Sequence, residues 1–190
     1  MFILASASPR RRALLEQIGA VFRVEECAVE EVREASDAAK LVRINAERKA
    51  RDIAAKNSLP VLGADTVVVL DGRIFGKPQD EAEACMMLRA LSGRAHEVLT
   101  GIAWIREGKI VSAVSRTLVH FALLGEEEIE RYVLTGEPLG KAGAYAVQGG
   151  AAVFVERLEG SFSNVVGLPL HDTAELAKKA GVDLYGGHGA

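Results

Sequence analysis

Val61-Leu62-Gly63-Ala64-Asp65-Thr66-Val67-Val68-Val69-Leu70 is the stretch on which the fold turns. Its apolar residues continue without the polar alternation of a half-exposed strand, and Asp71-Gly72 follows as a turn signal. The pattern predicts a central strand buried on both faces, which needs helices to cover it. Upstream, Phe2-Ile3-Leu4-Ala5 reads as a short buried strand running straight into a helix over about 9–18. There Ser8 is the N-cap, Pro9 takes the first helical position, Leu14, Leu15 and Ile18 form the apolar face, and Gly19 ends the helix. Val42, Ala46 and Ile53 recur on one face of a second helix over about 37–55, and Lys49 falls on that same face.

Downstream of the central strand, Asp80 and Glu83 make a capping-box pattern for a helix that turns Ala84, Met87, Leu88 and Leu91 inward and stops at Gly93. Alternating residues from His96 to about Ile105 and from Ile110 to about Leu123 flank Glu107-Gly108, the pattern of a long hairpin. Helices near 125–134 and 170–180 and a strand near 151–156 complete the set. The expected class is α/β, with a mixed central sheet flanked by helices.

With 190 residues, 49% hydrophobic and 26% charged, the chain can bury one sizeable core, and it contains no Pro/Ser-rich linker, low-complexity stretch or repeat. One domain over 1–190, built as two lobes, is expected. The 23 basic residues against 26 acidic ones give a net charge of -3, which excludes a broad positive field for nucleic acid or anionic membrane. An anionic ligand therefore has to be held by a local cluster of cations. No apolar run reaches the roughly 20 residues of a membrane span, and the start of the chain lacks a basic leader, so a cytoplasmic protein is expected. Cys27 and Cys85 lie far apart without metal-ligand spacing, and both read as ordinary thiols.

A local cluster of cations exists at Ser6-Ala7-Ser8-Pro9-Arg10-Arg11-Arg12, where hydroxyls, the free N–H groups of a helix start and guanidinium groups occur together. Helix starts favour anions and arginine binds phosphate oxygens in pairs, so this segment reads as a phosphate cradle. Arginine in a first helical turn opposes the helix dipole, a placement that a bound anion would offset. Asp65 is the second informative residue, since an ionised carboxylate inside an apolar strand needs a cation or hydrogen bonds to compensate its desolvation. Lys49, on an apolar helix face, and Lys77, within Gly76-Lys77-Pro78, add cations. Glu30 and Glu31, in a polar stretch between elements, are candidate ligands for a divalent ion. The chain has no G-x-G-x-x-G after a strand, no P-loop, no H-E-x-x-H and no G-x-S-x-G elbow, which argues against ATP-driven P-loop chemistry and a covalent serine intermediate.

The segments Ser6-Ala7-Ser8-Pro9-Arg10-Arg11, Gly63-Ala64-Asp65-Thr66-Val67-Val68 and Gly76-Lys77-Pro78 follow one another in an order that resembles the Maf-type nucleotide pyrophosphatases. The resemblance continues through Leu91-Ser92-Gly93-Arg94-Ala95-His96-Glu97-Val98, Thr100-Gly101, Lys141-Ala142-Gly143-Ala144-Tyr145-Ala146-Val147-Gln148-Gly149 and Asn164-Val165-Val166-Gly167-Leu168-Pro169, covering residues 2 to about 175. It implies a fold similar to inosine triphosphate pyrophosphatases, with a cleft between two lobes. It also implies house-cleaning hydrolysis of nucleoside triphosphates to monophosphate and pyrophosphate with a divalent metal, Mg²⁺ or Mn²⁺, and a homodimer.

On that resemblance Ser8, Arg10, Arg11, Lys49 and Lys77 bind the triphosphate, while Asp65 is either the proton acceptor or a metal ligand. Glu31, with Glu30 as its neighbour and rival, is the second metal carboxylate. Arg10, Thr66 and Gln148 stand where branches of the family differ, and they resemble the dTTP/UTP branch rather than the 7-methyl-GTP branch. Gln148 offers both a donor and an acceptor to the O4/N3–H edge of uracil or thymine. Gly140 departs from the family, whose members usually carry an acidic residue before Lys-Ala-Gly-Ala-Tyr. The competing readings are a non-catalytic nucleotide-binding regulator of cell division and a purine-directed house-cleaning triphosphatase.

Overall fold

The apolar run folds into a ten-residue strand, β3 (Val61–Leu70), buried along nearly its whole length. It belongs to a computed structural model that describes residues 1–30, 32 and 37–185. Before it come β1 (Phe2–Ala5), α1 (Pro9–Gln17), β2 (Phe22–Val24) and α2 (Ala38–Ala54). After it come β4 (Arg73–Phe75), α3 (Glu81–Leu91), β5 (Ala95–Arg106), β6 (Lys109–Phe121), α4 (Glu126–Leu134), β7 (Val155–Glu159), α5 (Phe162–Val166) and α6 (Leu170–Lys179). The strands form one mixed sheet in the order β2-β1-β3-β5-β6-β7, with β4 also paired to β3. β1 runs parallel to β2 and β3, whereas the β3–β4 and β6–β7 pairs are antiparallel. Among the described residues no helix is long and apolar enough to cross a membrane.

The chain divides into two compact units, and β3, β5 and β6 contribute residues to both. The first comprises Met1–Asp65, Thr100–Ser115 and Gly167–Ala190. Its core joins Ile3, Ala5, Val61, Ala103 and Ile105 of the sheet to Ala46, Ala50 and Ile53 of α2. Small residues at this contact let the helix backbone approach the strands closely: a Cβ on Gly63 would lie 2.2 Å from the Ala46 carbonyl oxygen, and one on Gly101 would lie 2.3 Å from that of Val42. Glycine at both positions therefore sets the height of α2 above the sheet. Because side chains alternate along a strand, Asp65 faces the same way as Gly63, toward α2. On α1 the Ser8 cap forms as expected, with its Oγ accepting the Arg11 N–H at 3.5 Å.

The second unit comprises Thr66–Leu99 and Arg116–Val166. Asp80 caps α3 by accepting the Glu83 N–H at 2.8 Å, while the Glu83 carboxylate returns one residue further back, to the Gln79 N–H at 2.7 Å. The strand expected near 151–156 is corrected by the structure. Residues Gly150–Phe154 wind into a 3-10 turn and the strand follows as Val155–Glu159. Ala151 and Phe154 are the buried members of that turn, and their three-residue spacing is the 3-10 repeat, so burial here selects a helical over an alternating pattern.

Candidate active site

Asp65 ends the first of the three segments that make up the first unit and is 6% exposed. Its Oδ1 accepts a hydrogen bond from Lys49 Nζ at 2.7 Å, and its Oδ2 accepts one from Asn45 Nδ2 at 3.0 Å. Lys49 and Asn45 stand one helical turn apart on the face of α2 that the two glycines bring against the sheet. The desolvation of the strand carboxylate is thus offset by one cation and one amide, both delivered by a single helix. Lys49, expected at the triphosphate, contacts Asp65 directly.

Asn45 is the residue that pattern reading did not find. It is 3% exposed, and besides Asp65 it binds the backbone of Val32 twice, accepting from the N–H and donating to the carbonyl, each at 2.9 Å. The signal for it is a polar amide between Val42 and Ala46 on an apolar helix face, one turn before Lys49. Glu31, next to Val32 in sequence, lies outside the described residues. Glu30 is exposed.

The three arginines of α1 separate. Arg11 is buried, with Nε donating to the Gly167 carbonyl at 2.8 Å and a terminal nitrogen to Ser6 Oγ at 3.0 Å. Arg12 turns to solvent and pairs with Glu16 at 2.7 Å, while Arg10 is half-buried. Ser8 is half-buried beside them, its own N–H donating to Ser6 Oγ at 3.3 Å. Arg11 therefore ties the start of α1 to the segment before α6.

A divalent metal was expected at Asp65 and Glu31. Among the described residues no three His, Cys, Asp or Glu side chains gather into a metal-holding group. The donor chemistry of Asp65 nevertheless fits Mg²⁺, which is commonly held by one or two carboxylates with the remaining positions filled by phosphate oxygens and water. Each Asp65 oxygen keeps a lone pair beyond its bond to Lys49 or Asn45.

In the second unit Thr66 is half-buried, Lys77 is exposed in the segment after β4, and Gln148 is exposed on a turn whose preceding residues, Ala144 to Val147, are buried. The Gly143 N–H donates to the Gly76 carbonyl at 3.0 Å, linking the segment before that turn to the residue preceding Lys77. Beneath the turn, His96 Nε2 and the Tyr145 hydroxyl share a 2.8 Å hydrogen bond inside an aromatic cluster with Phe121. Burial, with a smaller contribution from His120, lowers the His96 pKa to about 4, so its imidazole is neutral at physiological pH. Burial and then the neighbouring Tyr132 push the Tyr145 hydroxyl above its ordinary range. Both residues lie in segments that resemble the Maf family, but nothing in their spacing marks them as a buried pair.

Comparison with known proteins gives consistent matches along the chain. A protein of Pelotomaculum thermopropionicum named dTTP/UTP pyrophosphatase is 50% identical over 186 residues, spanning 96% of this chain and 97% of that protein. One of Symbiobacterium thermophilum with the same name is 49% identical over 190 residues, spanning 97% and 96%. Among solved structures, a HAM1 protein from Coxiella burnetii is 21% identical with a TM-score of 0.46, covering 64% of this chain and 74% of the other. Residues 1–180 match the family described as Maf-like protein, and with relatives of about half-identical sequence spanning nearly the whole length, the chain belongs to that family.

Proposed function

We propose that this chain is a nucleoside triphosphate pyrophosphatase that hydrolyses dTTP and UTP to the monophosphate and pyrophosphate, acting in the cytoplasm as a homodimer with Mg²⁺ or Mn²⁺. The observation that carries the reading is the buried Asp65 carboxylate, oriented at both oxygens by Lys49 and Asn45. Hydrolysis of the α–β phosphoanhydride requires a positioned water, a proton acceptor and neutralisation of the triphosphate. Asp65 is the group in the first unit suited to hold that water or take its proton. A divalent cation held by Asp65 and the phosphate oxygens would add charge neutralisation at the reacting phosphate.

Ser8, Arg10 and Arg11, at the start of α1, and Lys77 in the second unit are assigned to the triphosphate. Lys49 acts chiefly by compensating and orienting Asp65, which its 2.7 Å contact supports. Gln148, exposed on its turn, is the candidate reader of the pyrimidine edge, with Arg10 and Thr66 as the other positions that set base preference. The names of the relatives support dTTP and UTP as substrates. The homodimeric state and the cytoplasmic setting extend the family resemblance, and sedimentation and cell fractionation test them.

Pyrophosphate release assayed over dTTP, UTP, GTP and 7-methyl-GTP tests the reading. The purified protein should prefer dTTP and UTP, and chelation of divalent cations should abolish release. Gln148→Glu should lower kcat/KM for dTTP and UTP by roughly tenfold to a hundredfold, because a carboxylate that only accepts hydrogen bonds would face the O4 acceptor. A uniform loss over all four nucleotides would remove Gln148 from base reading. No release from any of them would favour a non-catalytic nucleotide-binding protein, and a preference for GTP would favour the purine-directed enzyme.

A further inference from the structure

The segment that carries Gln148 is gripped on both sides by residues from α4 and the turn that follows it. Two residues before Gln148, the Ala146 N–H donates to the Tyr132 hydroxyl at 3.0 Å. Two residues after it, the Gly150 N–H donates to Glu137 Oε2 at 2.9 Å. Between these points the Gly149 N–H donates to the Ala146 carbonyl at 3.0 Å, closing a turn with Gln148 at its exposed tip.

Glu137 is itself fixed. Its N–H donates to Thr135 Oγ1 at 3.1 Å, that hydroxyl donates to the Tyr132 carbonyl at 2.6 Å, and Lys141 Nζ donates to the Glu137 carbonyl. The Glu137 carboxylate lies against the turn, so that a Cβ on Gly149 would lie 2.0 Å from Glu137 Oε1 and 2.6 Å from its Cδ. Glycine at 149 is thus a condition for the carboxylate to reach Gly150.

We infer that Glu137 is a specificity-positioning residue, holding the backbone of the Gln148 turn so that the side-chain amide presents a fixed donor and acceptor to the pyrimidine base. The inference rests on Gln148 as base reader and on the pyrophosphatase reading above. The physical reason is preorganisation: Gln has several rotatable bonds, and discrimination between base edges is lost when its backbone anchor also moves. Glu137 bonds to Gly150 of the Gln148 turn and to Thr135 and Lys141 beside it, so its effect should fall on base choice rather than on the chemical step.

The test measures kcat and KM of the full chain for dTTP, UTP and GTP in wild type, Glu137→Ala, Glu137→Gln, Gly149→Ala and the Glu137→Ala/Gly149→Ala double variant. Glu137→Ala should raise KM for dTTP and UTP by about five- to tenfold with kcat little changed, and leave GTP nearly unaffected, which lowers the pyrimidine preference by the same factor. Glu137→Gln, whose side-chain oxygen still accepts from Gly150, should recover most of the preference. Gly149→Ala should reproduce Glu137→Ala because its methyl displaces the carboxylate. The double variant should be no worse than either single one, since both disable the same clamp. An unchanged pyrimidine-to-GTP ratio in Glu137→Ala, or an equal fall of kcat on every nucleotide, overturns the role of Glu137 while leaving the enzyme assignment intact. Wild-type protein that releases no pyrophosphate from dTTP or UTP overturns the assignment itself, and this inference with it.

Discussion

Each unit buries polar, titratable side chains next to its strands, and the two solve the same desolvation problem in opposite ways. In the first, Asp65 and Lys49 neutralise one another across 2.7 Å, and Asn45 takes the second carboxylate oxygen. In the second, His96 and Tyr145 hydrogen-bond to each other, and the His96 ring has no hydrogen-bond partner at Nδ1 among the described residues. Burial without a counter-charge drives both of these groups to their neutral forms. The difference separates chemistry from architecture. A buried charge that is compensated remains available to orient a water or a cation, whereas a buried neutral pair can only hold the turn region above it in place.

The largest effect should come from removing the charge in the first unit. Asp65→Asn should lose about 10²- to 10⁴-fold in pyrophosphate release while keeping its fold, because the amide oxygen still accepts from Lys49. Circular dichroism alongside the activity assay checks this, and near-normal turnover by folded protein would strip Asp65 of its assignment. Asp65→Asn should not gain stability in the free protein, because it breaks the buried ion pair with Lys49.

Lys49→Met makes the complementary break, leaving Asp65 buried without a cation. Unfolding in urea should show a loss of about 3–5 kcal/mol, much of it regained in a Lys49→Met/Asp65→Leu double variant that removes both charges. Equal losses in the single and double variants would mean that the pair is not energetically coupled.

The neutral pair in the second unit should show itself through pH. His96 titrates at about 4 in the folded protein against 6.5 ordinarily, so the unfolded chain binds the extra proton between those values. The stability this represents is fully present above pH 6.5 and is lost as pH falls toward 4, an amount of about 3 kcal/mol. His96→Phe should start less stable at neutral pH, because the Tyr145 hydroxyl loses its partner, yet its deficit against wild type should shrink steadily from pH 6.5 to 4. Parallel stability curves for the two proteins over that range would show that His96 is not held neutral.

The smallest change sharpens the first unit rather than breaking it. Asn45→Ala should cost about 1–3 kcal/mol by leaving Asp65 and the Val32 backbone each short of a bond. Hydrogen exchange should report faster loss of protection at the Val32 amide. Protection equal to wild type would mean that Asn45 does not anchor that segment.

Much of this architecture was legible in the chain itself, because it rests on local periodicity and on punctuation by caps and glycines. The strand at 61–70, the helices begun by Ser8 and Asp80, and the hairpin turning at Glu107-Gly108 all form where the pattern predicts them. Asp65, a lone charge in an apolar strand, could be singled out because its desolvation demands a partner wherever the strand is buried. The failures occur where local pattern stops deciding. The 3-10 turn at Gly150–Phe154 read as a strand because a few apolar residues suit either element, and only the burial of Ala151 and Phe154 chose between them.

Partnership was likewise beyond the sequence. That Lys49 serves Asp65, that Arg11 bonds to the Gly167 carbonyl, that Asn45 grips Val32 and that Glu137 clamps Gly150 are contacts between residues from 13 to 156 positions apart. Sequence determined which side chains would be costly to bury. Only the tertiary structure decided which groups offset that cost, because the approach of α2 to Gly63 and Gly101, and of the Gln148 turn to the end of α4, depends on how whole elements pack rather than on the spacing within any one of them.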